Sequence, residues 1–188
     1  MENNSRTYQD LKKFRLPENF RGKNPFFVQL WWIIQSLFVS TSPQFMYGWR
    51  SFIFRAFGAK IGKNVILRPS VKMTFPWHVE IGDDTWIGDN VVLYSLGKIK
   101  IGSNAVVSQN SYICSGTHDF RKVSFDMERY PVIIEDQVWL ANDVYVAPGV
   151  TIARGAVVGT RSSVFNDLPA GMICYGSPAR PKTSRIVD

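Results

Sequence analysis

From residue 61 to residue 169 an aliphatic or Met side chain returns on a six-residue beat: Ile61, Leu67, Met73, Ile81, Ile87, Leu93, Ile101, Val107, Ile113, Ile134, Leu140, Val146, Ile152, Val158 and Val164. Four residues after most of these openers stands a small or β-branched residue: Val65, Val71, Thr85, Val91, Ala105, Ser111, Thr117, Val138, Val144, Val150, Ala156 and Ser162. Glycine often follows the opener directly, as at Gly62, Gly82, Gly88, Gly102 and Gly159. An amphipathic helix has a period of about 3.6 and a half-buried strand a period of about 2, so neither produces this beat. The pattern predicts a parallel β-solenoid, in which each short repeat buries its apolar position only by stacking on its neighbours.

Taken three at a time, the hexads sort into coils. Ile61, Ile81, Ile101, Ile134 and Ile152 form one interior column. Leu67, Ile87, Val107, Leu140 and Val158 form the second, and Met73, Leu93, Ile113, Val146 and Val164 the third. Every break in the beat falls after a third hexad: at Val79-Glu80, at Ile99-Lys100, and at residues 119–133. Insertions confined to one corner of a triangular prism are what stacking tolerates. The expectation is an all-β solenoid of about five coils, about 24 Å tall at a strand spacing of about 4.8 Å. It leaves residues 1–60 as an N-terminal polar segment and helical cap, 119–133 as an extruded loop and 170–188 as a tail.

Residues 1–24 are polar and expected to be extended or loosely packed. Phe26 to Val39 is the strongest apolar run, and a second helical stretch follows Pro43, with Phe45, Met46, Trp49, Phe52, Ile53 and Phe57 at helical spacing. The first run falls short of the ~20 apolar residues that span a bilayer, and it starts too late for an ordinary signal peptide. Two readings stand. The helices cap the first coil, whose end would otherwise expose apolar surface. Alternatively they form a membrane-surface foot, with Trp31 and Trp32 in the interface and Arg50 and Arg55 toward anionic lipid.

Charge is uneven: residues 1–60 hold nine Lys/Arg against three Asp/Glu, and the remainder thirteen against twelve. The basic residues are scattered and match no nucleic-acid module, so nucleic acid is not an expected partner. Two cysteines, Cys114 and Cys174, describe no disulfide framework, which points to a reducing cytoplasm. The inner face of the membrane is a candidate place of work.

Ile81-Gly82-Asp83-Asp84-Thr85-Trp86, Ile101-Gly102-Ser103-Asn104-Ala105-Val106 and the closing Val146-Ala147-Pro148-Gly149-Val150-Thr151-Ile152 resemble the hexapeptide-repeat acyltransferases. Within them the chain is most similar to the maltose/galactoside O-acetyltransferase branch, and to the colanic-acid biosynthesis acetyltransferases above all. The resemblance covers roughly residues 25–181. It implies a left-handed β-helix, a homotrimer with sites between subunits, and acetyl-CoA as cosubstrate, with no metal.

One of only two histidines, His118, stands in Gly116-Thr117-His118-Asp119 where the long loop begins. Long loops in compact folds are more often functional than idle, and the resemblance places the family's catalytic histidine in this context. A sugar hydroxyl is a poor nucleophile and needs a base to take its proton. Imidazole suits that work near neutral pH. Asp119 either orients the imidazole or opens the turn of the loop. Ser95 stands near where relatives carry a substrate-side Asn, and it is the candidate replacement. His78 reads as structural or substrate-side, and Cys114 as a packed thiol.

For the coenzyme, the resemblance points to Val138-Trp139-Leu140-Ala141-Asn142, with Trp139 shaping the acetyl and pantetheine channel and Asn142 and Thr160 at contact positions. Small neighbours such as Ala141 and Gly159 would admit the pantetheine arm. Arg161 and Arg180, the latter in Tyr175-Gly176-Ser177-Pro178-Ala179-Arg180, are candidates for the nucleotide phosphates. Thr183 replaces a basic residue usual in relatives, with Arg185 nearby.

The leading function is acetyl-CoA-dependent O-acetylation of a sugar hydroxyl on an exopolysaccharide or other cell-surface glycan precursor. A zinc carbonic anhydrase would need three histidines, and the chain has two. The remaining alternative is a non-catalytic trimeric scaffold or membrane-docking protein.

Overall fold

The computed structural model describes residues 6–187. Short parallel strands stack into three sheets that form the faces of a left-handed β-helix. The first face runs Lys60–Ile61, Val79–Ile81, Ile99–Ile101, Val132–Ile134 and Thr151–Ile152. The second runs from Ile66–Leu67 through Trp86–Ile87, Val106–Val107, Trp139–Leu140 and Val157–Val158 to Met172–Gly176. The third runs Lys72–Met73, Val92–Tyr94, Tyr112–Cys114, Tyr145–Val146 and Ser163–Val164.

The registers pair the predicted columns residue for residue, as in Ile61↔Ile81↔Ile101↔Ile134↔Ile152. These openers are all buried, and so are the small residues four places on. Thr117 is the exception. It is exposed because the chain has already left the prism there, in an antiparallel pairing with Glu128.

The stack also runs one partial turn further than five coils. Leu168 bridges Ile152 on the first face, and Cys174 pairs with Val158 on the second. Leu168 follows the last counted opener, Val164, by four residues and Cys174 follows Leu168 by six, so the beat resumes after one shortened step. The final strand is then covered by Ala179–Ser184, which folds back antiparallel.

Corners and openers divide the labour. Left-handed backbone falls three residues after openers, at Asn64, Asp84, Asn104, Gln137, Asn90, Asn110 and Asp143, where Asn and Asp tolerate it best. The glycine after the opener serves close approach instead. A Cβ on Gly102 would sit 2.5 Å from the backbone nitrogen of Asp136 in the next coil.

Two helices close the first coil: α1, Pro25–Ile34, and α2, Tyr47–Ala56. α1 starts on Asn24, whose side chain accepts from the Phe27 amide, with Pro25 at the first helical position. The coil's free edge carries the carbonyls of Ile61, Leu67 and Met73, which no further coil can satisfy. Arg55 donates to Ile61, Arg50 to Leu67 and the Trp31 indole to Met73, at 2.9, 2.6 and 3.0 Å. Arg50 is fully buried and also reaches Ser42, Pro43 and Gln44. Capping is thus built in hydrogen bonds: Arg50 is turned inward, and Arg55, though exposed, is engaged by the edge carbonyls of Ile61 and Gly62. A buried edge carbonyl left unpaired costs about 1–3 kcal/mol.

Candidate active site

After Cys114 the chain leaves the third face. Ser115 is buried and bonded to the Tyr94 and Gly97 carbonyls. Gly116 lies against Leu96, where a Cβ would come within 2.7 Å of Leu96 Cδ1. Gly116–His118 then pairs with Met127–Arg129 as an antiparallel ribbon, His118 opposite Met127. The connecting turn is held by the Asp119 amide donating to the Asp126 carbonyl.

That turn brings Phe125 back over His118. His118 Nδ1 lies 2.8 Å from the Phe125 carbonyl oxygen, and the two rings stack at 4.2 Å with a 9° interplanar angle. Phe125 adopts φ +53, a left-handed conformation unfavourable for a bulky side chain. A carbonyl can only accept, so Nδ1 carries the proton and Nε2 of the neutral ring keeps its lone pair. Phe14 packs on the imidazole at 6.0 Å, tilted by 56°.

Phe14 belongs to the segment expected to be extended or loosely packed; residues 6–24 are largely exposed, but they are tied down at a few points. From Asp10 to Phe20 the chain runs as a strap across the loop. The Asp10 amide donates to the Val123 carbonyl at 2.8 Å. Arg129 lies 4.8 Å from the Phe20 ring centroid and donates to the Phe20 carbonyl. Phe20 joins Val28, Phe75 and Leu96 in a second small core that includes Met127 of the ribbon. The apolar residues Phe14 and Phe20 within a polar stretch were the available signal.

Ser95 does not face an acceptor. It is fully buried, its hydroxyl donating to the Phe75 carbonyl and accepting from the Phe75 amide, both at 2.9 Å. Asp119 serves the turn. Its carboxylate accepts from the backbone amide and the guanidinium of Arg121, which hold its pKa below the ordinary value. His78 donates from Nδ1 to the Ser95 carbonyl at 3.0 Å, and burial lowers its pKa. Cys114 is buried with its thiol on the Gly116 carbonyl.

The coenzyme-side candidates gather elsewhere. Trp139 stands outward on the second face, in line with Trp86, and its indole donates to Ser108 at 3.1 Å. Thr160 donates to Asn142 at 2.8 Å across neighbouring coils at the corner between second and third faces. Arg161, beside them, pairs with Asp143 at 3.2 Å. Arg180 is exposed on the closing hairpin, whereas Arg185 is committed to the Gln137 and Gly155 carbonyls. Gly159 is small for a local reason as well: a Cβ there would meet Tyr175 Cβ at 2.9 Å.

Within one chain, then, His118 and the Asn142–Thr160 corner stand on opposite sides of the third face. That face is one hexad wide, up to ~20 Å at about 3.3 Å per extended residue. Among the described residues no three His, Cys, Asp or Glu side chains cluster as metal ligands, and no helix is long and apolar enough to cross a membrane.

Comparison with known proteins agrees with this architecture. Residues 78–115 match the family model for the hexapeptide repeat of succinyl-transferase. The chain is 54% identical over 171 residues to WcaF of Escherichia coli K12, provisionally named a colanic acid biosynthesis acetyltransferase, with 91% of this chain and 94% of WcaF aligned. It is 27% identical to the galactoside O-acetyltransferase of the same organism, over 70% of this chain and 66% of the relative. A hexapeptide-repeat acetyltransferase of Vibrio cholerae, solved with acetyl coenzyme A, superposes with a TM-score of 0.77 at 25% identity, covering 90% of this chain and 89% of that one.

Proposed function

Because this chain belongs to the hexapeptide-repeat acetyltransferases, the family of its 54% identical relative, we propose that it transfers the acetyl group of acetyl-CoA to a hydroxyl of an exopolysaccharide or other cell-surface glycan precursor. The observation that carries the reading is the His118 Nδ1 to Phe125 carbonyl hydrogen bond. It leaves Nε2 of the neutral ring as a base at the head of an extruded loop. Acetyl-CoA supplies an acyl group activated as a thioester. His118 Nε2 takes the proton of the acceptor hydroxyl as its oxygen bonds to the acyl carbon. The same nitrogen then returns that proton to the sulfur that leaves.

The donor set suits the coenzyme. Trp139 offers an aromatic wall, Asn142 and Thr160 offer hydrogen-bonding groups to an amide-bearing arm, and Arg161 and Arg180 offer cations to phosphates. Arg161 would have to exchange its exposed pairing with Asp143, a small cost. The separation of His118 from this corner supports a homotrimer, in which the His118 loop of one protomer meets the coenzyme corner of the next. The work is done from the cytoplasm, at the inner face of the membrane.

The test is release of free thiol from acetyl-CoA with a panel of sugars and glycan precursors, wild type beside His118→Ala. Turnover on a glycan that His118→Ala lowers by about 10²–10⁴-fold, with the acetyl-CoA thermal shift retained, is the expected result. An acetyl-CoA shift absent from the wild type would overturn the reading.

A further inference from the structure

We propose that the outer face of α1 and α2 docks flat on an anionic lipid surface. The inference rests on the acetyltransferase reading only for its purpose; its evidence is the shape and charge of the cap. The inner sides of both helices are buried, Trp31, Ile53 and Phe54 in the main core and Val28 in the small core with Phe20, Phe75 and Leu96. The outer sides are not polar, as an ordinary cap would be. Phe26, Ile33, Leu37, Phe45 and Phe52 are 54–79% exposed, and Trp32, Phe38 and Trp49 are exposed beside them.

These side chains form one surface. Phe26, Ile33 and Leu37 are spaced seven and four residues apart, which puts them along one side of the helical run. Trp49 of α2 donates its indole N–H at 3.0 Å to the carbonyl of Phe38, in the helical segment Gln35–Val39 that extends α1, and it stacks on Phe52 of its own helix at 6.1 Å. Isolated exposed apolar residues are ordinary, but a contiguous patch of this kind marks a contact surface. The two exposed tryptophans have their N–H groups satisfied inside the protein, Trp32 by the Thr74 carbonyl at 3.4 Å. Their rings are therefore left for an apolar phase.

Charge selects the occupant. Between Glu18 and Glu80 the chain has eight Lys/Arg and no Asp/Glu. Arg50, Arg55, Lys60 and Arg68 are committed to carbonyls or carboxylates. Lys23, at the start of α1, and Lys63 and Lys72, on the first coil beside the helices, are exposed and make no ion pair among the described residues. A second copy presenting the same face would set these cations against each other. A negatively charged lipid surface complements both the cations and the apolar patch. Among the described residues no helix is long and apolar enough to cross a bilayer, so the geometry points to a cap lying in the interface.

The experiment is flotation with vesicles of phosphatidylcholine alone and of phosphatidylcholine with roughly one-third phosphatidylglycerol. Wild type should float with the anionic vesicles and release them as salt rises. Leu37→Glu with Phe52→Glu should lower binding by about tenfold or more, and Lys63→Gln with Lys72→Gln severalfold. All four positions are exposed, so folding and acetyl transfer to a water-soluble acceptor should be kept. Absence of wild-type binding, or binding indifferent to Leu37→Glu/Phe52→Glu, overturns the proposal. So does light scattering that shows the same double variant breaking a larger assembly, which would assign the face to a subunit contact. A preparation that floats but never turns over would leave the docking face standing and sink the acetyltransferase reading instead.

Discussion

His118 is held by a residue seven positions further along, Phe125, through a 2.8 Å hydrogen bond to its carbonyl and a ring stack at 4.2 Å. Both contacts depend on the left-handed backbone at Phe125, which turns carbonyl and ring toward the imidazole together. Strain of this kind persists where surrounding structure enforces it. Phe125→Ala removes the stack and should lower kcat/KM by roughly two- to tenfold, the worth of one aromatic pair. Phe14→Ala should act in the same direction and more weakly. The measurement is steady-state thiol release, and a pH–rate profile unchanged in both variants would show that neither residue positions the base.

Arg50 should be among the most destabilising positions outside the β-helix. Arg50→Met strands the Leu67, Pro43 and Gln44 carbonyls and the Ser42 hydroxyl. We expect a loss of about 3 kcal/mol or more, or roughly 10 °C in Tm for a chain of this size. Arg50→Lys should recover only part, because an ammonium cannot span four acceptors placed for a planar fork. Thermal denaturation checks both.

Gly102→Ala should cost more than its extra methyl suggests. The new Cβ would meet the backbone of Glu135 and Asp136 at 2.5–2.7 Å, and backbone in a stacked coil cannot step aside. A loss of about 1–3 kcal/mol is the usual cost of overpacking. Gly48→Ala, whose Cβ meets nothing within 4 Å, is the control and should be neutral or slightly stabilising. Denaturant midpoints of the two variants provide the comparison.

His78 should make stability depend on pH below its ordinary pKa of 6.5. Burial lowers the folded-state value, so as pH falls through 6.5 the unfolded chain takes up a proton that the folded chain refuses. Stability therefore declines from about pH 6.5 downward and the slope disappears below the folded pKa. Asp119, Asp126, Glu80 and Asp89, all depressed by their partners, lose their contributions only at still lower pH. His78→Asn keeps a donor for the Ser95 carbonyl and should flatten the decline of Tm that sets in below about pH 6.5. An unchanged slope would locate the titrating group elsewhere.

The amino-acid sequence by itself determined the three interior columns, the corner that accepts insertions, the existence of a helical cap and the position of His118 at the mouth of the loop. Each is a local or periodic property: six residues return the chain to the same depth in the prism, so burial can be read by counting. Only the tertiary structure decided what each polar group meets. Arg50 and Arg55 look like free surface cations in sequence, yet the open carbonyl edge of the first coil engages both and buries Arg50. Ser95 looks available to a substrate, yet it is fully buried on Phe75, twenty residues away. Phe14 meets His118 across 104 residues, and Phe125 reaches it through a dihedral that no propensity favours. Partners so far apart in the chain are chosen by packing geometry, which the six-residue beat constrains only within the solenoid.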